Sequence, residues 1–177
     1  MYQIRNGVFE TNSSSVHSIC IGKSPVEIPK WEIVKFTIGE YGWENATVVD
    51  TASYLYTGIL SLGREKEYLP KLKSMLDDMG VKYEFDTPHF DKWGLEYGYV
   101  DHAEGLHDFI KAVLSDSDLL ARYLFGDSFI KTGNDNENAR PDGCDICKKE
   151  IYDLGKKQWV PNHYHDPEHY DYFKKGN

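Results

Sequence analysis

The chain opens with an apolar alternation on a period of two. Residues 2–9 alternate, a polar cluster follows, and a second run then carries His17, Ile19 and Ile21 on one face. A period of two belongs to a strand and not to a helix. The opening therefore reads as strand, polar turn, strand. The turn gathers Glu10, Thr11, Asn12, Ser13, Ser14 and Ser15, with His17 just beyond. So many donors and acceptors in one place suit an anion, a phosphate or a reacting group. Equally, serine and asparagine close turns by bonding their own backbone, and His17 fits a half-buried strand position.

The run Arg5-Asn6-Gly7-Val8-Phe9-Glu10-Thr11-Asn12-Ser13-Ser14-Ser15-Val16-His17-Ser18 resembles the opening of a family of mostly uncharacterised proteins from phages and mobile elements of bacteria. The likeness continues through Gly42-Trp43-Glu44, Ser53-Tyr54-Leu55-Tyr56, Asp101-His102 and Gly133-Asn134-Asp135-Asn136. What this resemblance implies is a biological context and not a reaction.

At 177 residues the chain fits one domain with a small appendage. A hydrophobic share of 40% is enough for a core. Tyrosine occurs 13 times, against 8 phenylalanines and 4 tryptophans. Such rings bury their bodies and keep a wet hydroxyl, which favours polar pockets and contact surfaces. Twenty-nine acidic residues against 20 basic ones give a formal charge of −9. That field argues against direct binding to DNA, RNA or anionic lipid; it suits a basic protein partner, of host or phage, and equally serves simple solubility. No apolar run is long enough to span a bilayer, and the N-terminus lacks a basic-then-apolar leader. Three cysteines make a poor disulfide framework, so a reducing cytoplasm is the expected setting. The oligomeric state is not legible.

Residues 31–38 read as a further strand and 39–45 as an aromatic-acidic loop. Asp50 or Thr51 is placed to cap a helix whose stripe is Ala52, Leu55, Tyr56, Ile59 and Leu60, ending at Gly63. Residues 65–79 give a second helix with Leu72, Met75, Leu76 and Met79 in phase; Pro70 suggests a late start, and Gly80 a stop. Val81, Tyr83 and Phe85 alternate as a strand. Residues 87–98 form an irregular, aromatic-rich loop expected to fold over something. Asp101, with Glu104 as its capping-box partner, is expected to start a helix burying Leu106, Phe109, Ile110, Val113 and Leu114. A short helix through Leu119, Leu120, Tyr123 and Leu124 stops at Gly126, and Phe129-Ile130 form a brief strand leading into a turn at 133–136.

Two constellations could carry chemistry. The first is Cys144-x-x-Cys147 followed by His163, His165 and His169; fifteen residues separate Cys147 from His163, and three separate His165 from His169. Two thiolates from a C-x-x-C turn and two of the histidines would complete a closed, structural zinc site. The competing reading is two free thiols beside an exposed acidic-aromatic tail. The second constellation is dispersed: Ser14 and His17, then Asp101 and His102, then Asp135. These would give a small hydrolase or transferase its hydroxyl, base and acid. Around them, Glu10, Asn12, Ser13, Ser15 and Asn134 would bind the ligand. The preferred expectation is instead a phage-type accessory protein that acts by binding, for instance an acidic inhibitor of a host defence such as a CRISPR effector. The expected fold is α+β: a mixed or antiparallel sheet under three to four helices (1–135), with a small Cys/His module (136–177) packed against it or hanging from it.

Overall fold

The computed structural model describes residues 15–41, 50–92, 94–101, 105–134, 150–153, 155–161 and 168–175. In chain order these form β1 (Ser15–Gly22), β2 (Ile33–Phe36), β3 (Glu40–Tyr41), α1 (Thr51–Ser61), α2 (Glu65–Asp78), β4 (Lys82–Phe85), β5 (Phe90–Asp91) and β6 (Gly94–Leu95). There follow β7 (Tyr99–Val100), α3 (Leu106–Val113), α4 (Ser117–Phe125), β8 (Ser128–Asn134), β9 (Glu150–Asp153), β10 (Gln158–Pro161) and β11 (Tyr170–Lys175). The class is α+β, as expected.

Among the described residues the strands make several small sheets and not one broad one. In the largest, β1 runs between β8 and β11, antiparallel to both, with Ile19 opposite Ile130 on one side and Phe173 on the other. The second run of the opening thus finds partners far away in sequence. Residues 2–9, the expected first hairpin strand, lie outside the described residues. Parallel pairs β2–β4 and β3–β7, and antiparallel pairs β5–β6 and β9–β10, complete the set. The last strand, β11, crosses the expected boundary at 135/136 by pairing with β1.

Helix α1 is the centre of the core. Asp50 caps it as expected, its carboxylate accepting from the Ser53 N–H at 2.7 Å. The apolar stripe, however, understates the helix: every residue from 52 to 60 is buried. The reason is that α1 touches α2, α3, α4 and strands besides, so it has no solvent face. Gly58 permits the approach of α3, since a Cβ there would lie 3.2 Å from the Leu106 side chain. The hydroxyls of this buried helix are used. Ser53, Thr57 and Ser61, at i, i+4 and i+8, accept from the backbone N–H groups of Thr37 (3.3 Å), Gly39 (3.1 Å) and Val100 (3.1 Å). One helix face thus replaces a neighbouring strand for the edge of β2, β3 and β7.

Other expectations need correction. Helix α2 already begins at Glu65 and carries Pro70 inside it. Pro70 is exposed, so the carbonyl left without an N–H partner one turn earlier lies on the wet side. Asp101 is not the cap of α3; the N-cap is Gly105, in the left-handed region at φ 77°. The Asp101 N–H instead donates to the Tyr41 carbonyl at 2.9 Å and extends the β3–β7 ladder. Residues 133 and 134 do not begin a turn but continue β8, opposite Val16 and Ser15. The segment 87–98 is less irregular than expected: it contains the β5–β6 pair, which lays Leu95 against the core while the Phe90 and Tyr97 rings are 49% and 77% exposed.

Arg122 was not singled out in the sequence and proves central. It lies buried on α4 and donates to the Gly22 carbonyl (2.9 Å), Asp171 (3.0 Å) and Asp118 (3.0 Å). It joins the end of β1 and the start of β11 to α4. Burial of a guanidinium is tolerable here because carboxylates and a carbonyl take its protons. Nearby, the Lys23 N–H donates to the His169 carbonyl (2.7 Å) and the Tyr170 hydroxyl to Asp127 (2.6 Å).

Candidate functional site

The dispersed constellation is partly gathered and partly explained away. Ser15 and Asn134 are cross-strand partners on β1 and β8, so two of the expected ligand-binding positions are neighbours. Glu10, Asn12, Ser13, Ser14, His102 and Asp135 lie outside the described residues. His17 is fully buried. Its Nδ1 and the Tyr54 hydroxyl are 2.7 Å apart, with the rings edge to face at 5.6 Å between centroids. Burial drives the Tyr54 phenol far above its ordinary range, so it remains a neutral hydroxyl beside the imidazole. Tyr54 in turn meets Tyr41 at 5.2 Å and Phe109 at 6.4 Å. Burial, with Asp50 adding to it against a hydrogen bond from Ser53, pushes the Tyr41 phenol up to about 12. Asp101 meets this group through its backbone N–H, which donates to the Tyr41 carbonyl. His17 is therefore a strand residue locked by a core tyrosine, not a base open to a substrate.

Of the expected zinc ligands, Cys144, Cys147, His163 and His165 lie outside the described residues. His169 is exposed, one residue before β11. Among the described residues, no three metal-ligating side chains come together. The remaining cysteine, Cys20, is buried in β1. Burial, with Asp127 and Asp171 adding to it, pushes its pKa up to about 12 and makes it a poor nucleophile.

The segment 86–99, with β3 beside it, carries exposed aromatic and acidic residues. Phe90 pairs with Leu95 across β5–β6, and the Glu96 N–H donates to the His89 carbonyl at 2.8 Å. Tyr97, at φ 61°, turns the chain into β7, where Tyr99 stands opposite Glu40. Three rings, Phe90, Tyr97 and Tyr99, are thus 49%, 77% and 44% exposed within ten residues of sequence. Glu40 stands opposite Tyr99, and Asp86, Asp91 and Glu96 lie near the rings in sequence, with Lys92 among them. Glu96 bonds the Tyr97 hydroxyl and raises its pKa. Holding a non-glycine residue at positive φ costs free energy, and such cost concentrates where a side chain must be presented. The sequence signal was the aromatic run itself, read as a loop that folds over something; Phe90, Tyr97 and Tyr99 are exposed while Leu95 meets the core.

The chain matches no protein-family model, no curated protein and no solved structure. Among the described residues, no helix is long and apolar enough to cross a membrane.

Proposed function

We propose that the chain is a non-catalytic binding protein whose surface around Phe90, Tyr97 and Tyr99 engages a basic face of another protein. The observation that carries this reading is three exposed aromatic rings and three carboxylates on the segment 86–99, with Glu40 of β3 opposite Tyr99. Binding energy concentrates on aromatic anchors, and a rim of one charge steers a partner of the other. The net charge of −9 extends the same field over the molecule. With the resemblance of the opening motif to phage and mobile-element proteins, the partner of choice is a nucleic-acid-binding protein of a host defence, such as a CRISPR effector, in the cytoplasm. The acidic protein would occupy the channel that otherwise holds nucleic acid. A structural zinc in the Cys144/Cys147 region belongs to the same proposal and stands on ligand spacing. The alternative, a hydrolase or transferase built on Ser14, His17, Asp101, His102 and Asp135, draws no support from the buried His17.

The test is competition. The protein is titrated into complexes of purified bacterial CRISPR nucleases with labelled DNA, and DNA release is followed by anisotropy. Release from at least one nuclease, lost in the F90A/Y97A/Y99A variant and weakened by salt, is expected. A complete lack of release across the panel, or release that survives loss of all three rings, overturns the reading.

A further inference from the structure

The edge of β2 points to a second binding site, whose lining shares no residue with the aromatic segment. Strand residues direct their N–H and C=O groups alternately to the two sides. The Phe36 carbonyl accepts from the Asp86 N–H at 3.0 Å, so Phe36 faces β4, and Val34 does the same opposite Tyr83. Ile33, Lys35 and Thr37 must then face the other way. Thr37 does so visibly, since its N–H donates to the Ser53 hydroxyl of α1. The hydroxyl face of α1 closes this edge from Thr37 onward. Before Thr37 the helix has begun only at Asp50, and a cleft of about 400 Å³ opens beside Ile33 and Lys35. Among the described residues, no donor or acceptor bonds the backbone of either residue on that side.

The cleft has the chemistry of a strand receptor. Leu124 and Phe125 supply apolar lining, while Glu32 and Asp50 bring two carboxylates against the one cation Lys35. Ile33, beside the opening, is 48% exposed. We infer that an extended peptide segment of a partner protein, apolar at alternate positions and basic between them, docks here by adding to the Ile33–Lys35 edge as a strand. Its backbone takes the Ile33 and Lys35 groups, its apolar side chains meet Leu124 and Phe125, and its cations meet Glu32 and Asp50. A site of this kind draws affinity from main-chain bonds and specificity from alternate side chains.

The probe is a fluorescent, end-capped alternating Lys-Val peptide of about six residues, a usual strand length. Its controls are an alternating Glu-Val peptide and a Lys-Val peptide N-methylated at alternate residues. Lys35→Pro removes the N–H that faces the cleft and spares the β2–β4 ladder. Affinity for the Lys-Val peptide should fall about tenfold in Lys35→Pro and on N-methylation, each of which removes main-chain bonding. Glu32→Gln and Asp50→Asn should each weaken it about two- to fivefold, Asn keeping the helix cap. In the wild type, bound peptide should slow amide exchange at Ile33 and Lys35, a measurement that decides the matter even if Lys35→Pro fails to fold. The inference is overturned if the Lys-Val peptide does not bind, or if the Glu-Val or N-methylated peptide binds as well. Unchanged affinity in a folded Lys35→Pro variant, or dimerisation of the chain through this edge in place of peptide binding, also overturns it.

Discussion

Replacing Thr57 by valine isolates the helix-for-strand substitution on which α1 is built. Thr57 is fully buried, and its hydroxyl accepts the Gly39 N–H at 3.1 Å. Valine keeps the volume and the β-branch, so packing and helix propensity change little. What changes is that the Gly39 N–H loses its acceptor. Stranding a buried donor costs about 1–3 kcal/mol, and the half-buried Gly39, which water can partly reach, belongs to the lower half of that range. At about 2–4 °C per kcal/mol for a chain of this size, the melting midpoint should fall by roughly 2–8 °C. Thermal and urea unfolding followed by circular dichroism would measure it, with the urea slope unchanged. Ser61→Ala should cost less, because alanine's better helix propensity offsets part of the lost bond to Val100. A Thr57→Val midpoint equal to wild type would refute the idea that α1 hydroxyls stand in for a strand.

Phe109→Ala should destabilise by about 3–5 kcal/mol, since the ring is buried at 2% exposure between Tyr54 and Tyr123 and its removal loses both transfer and cavity terms; an unchanged midpoint would mean the face of α3 is misassigned. Stability should decline at alkaline pH, because Tyr41, Tyr54, Tyr123 and Cys20 are all pushed up by burial. In the unfolded chain these phenols release protons near about 10 and the thiol near about 8.5, so it binds fewer protons than the folded state above those values. The urea midpoint should therefore be flat near neutrality and fall as pH rises through 9–11, roughly the unfolded range; a flat profile would contradict the burial. Protein purified without chelator should carry about one zinc per chain, and metal analysis finding none would remove the zinc proposal.

Local punctuation was legible because it depends on neighbours in sequence. Asp50 caps α1, Gly126 follows α4, and Val81, Tyr83 and Phe85 alternate into β4, as their types dictate. Pairing was not legible. A period of two says that 15–22 is a strand but not that its partners are 128–134 and 170–175. Asp101 misled because an acid followed by Glu104 and an apolar run looks like a capping box, while tertiary pairing with Tyr41 claims its backbone first. Ser53, Thr57 and Ser61 look like a solvent face until strand edges arrive to use them. His17 showed the reverse: a suggestive residue beside a polar turn whose ring is consumed by the core. The outward aromatics of 90–99 were visible as composition but not as exposure, which depends on the turns at Gly94 and Tyr97.

The most direct test of the central claim is an amide-exchange footprint of the protein bound to a nuclease that it displaces from DNA. The account predicts slowed exchange across 86–99 and at Glu40–Tyr41, with the amides of β1 and β8 unchanged. Protection at 15–22 and 128–134 with 86–99 untouched would contradict it and return attention to the polar end of β1.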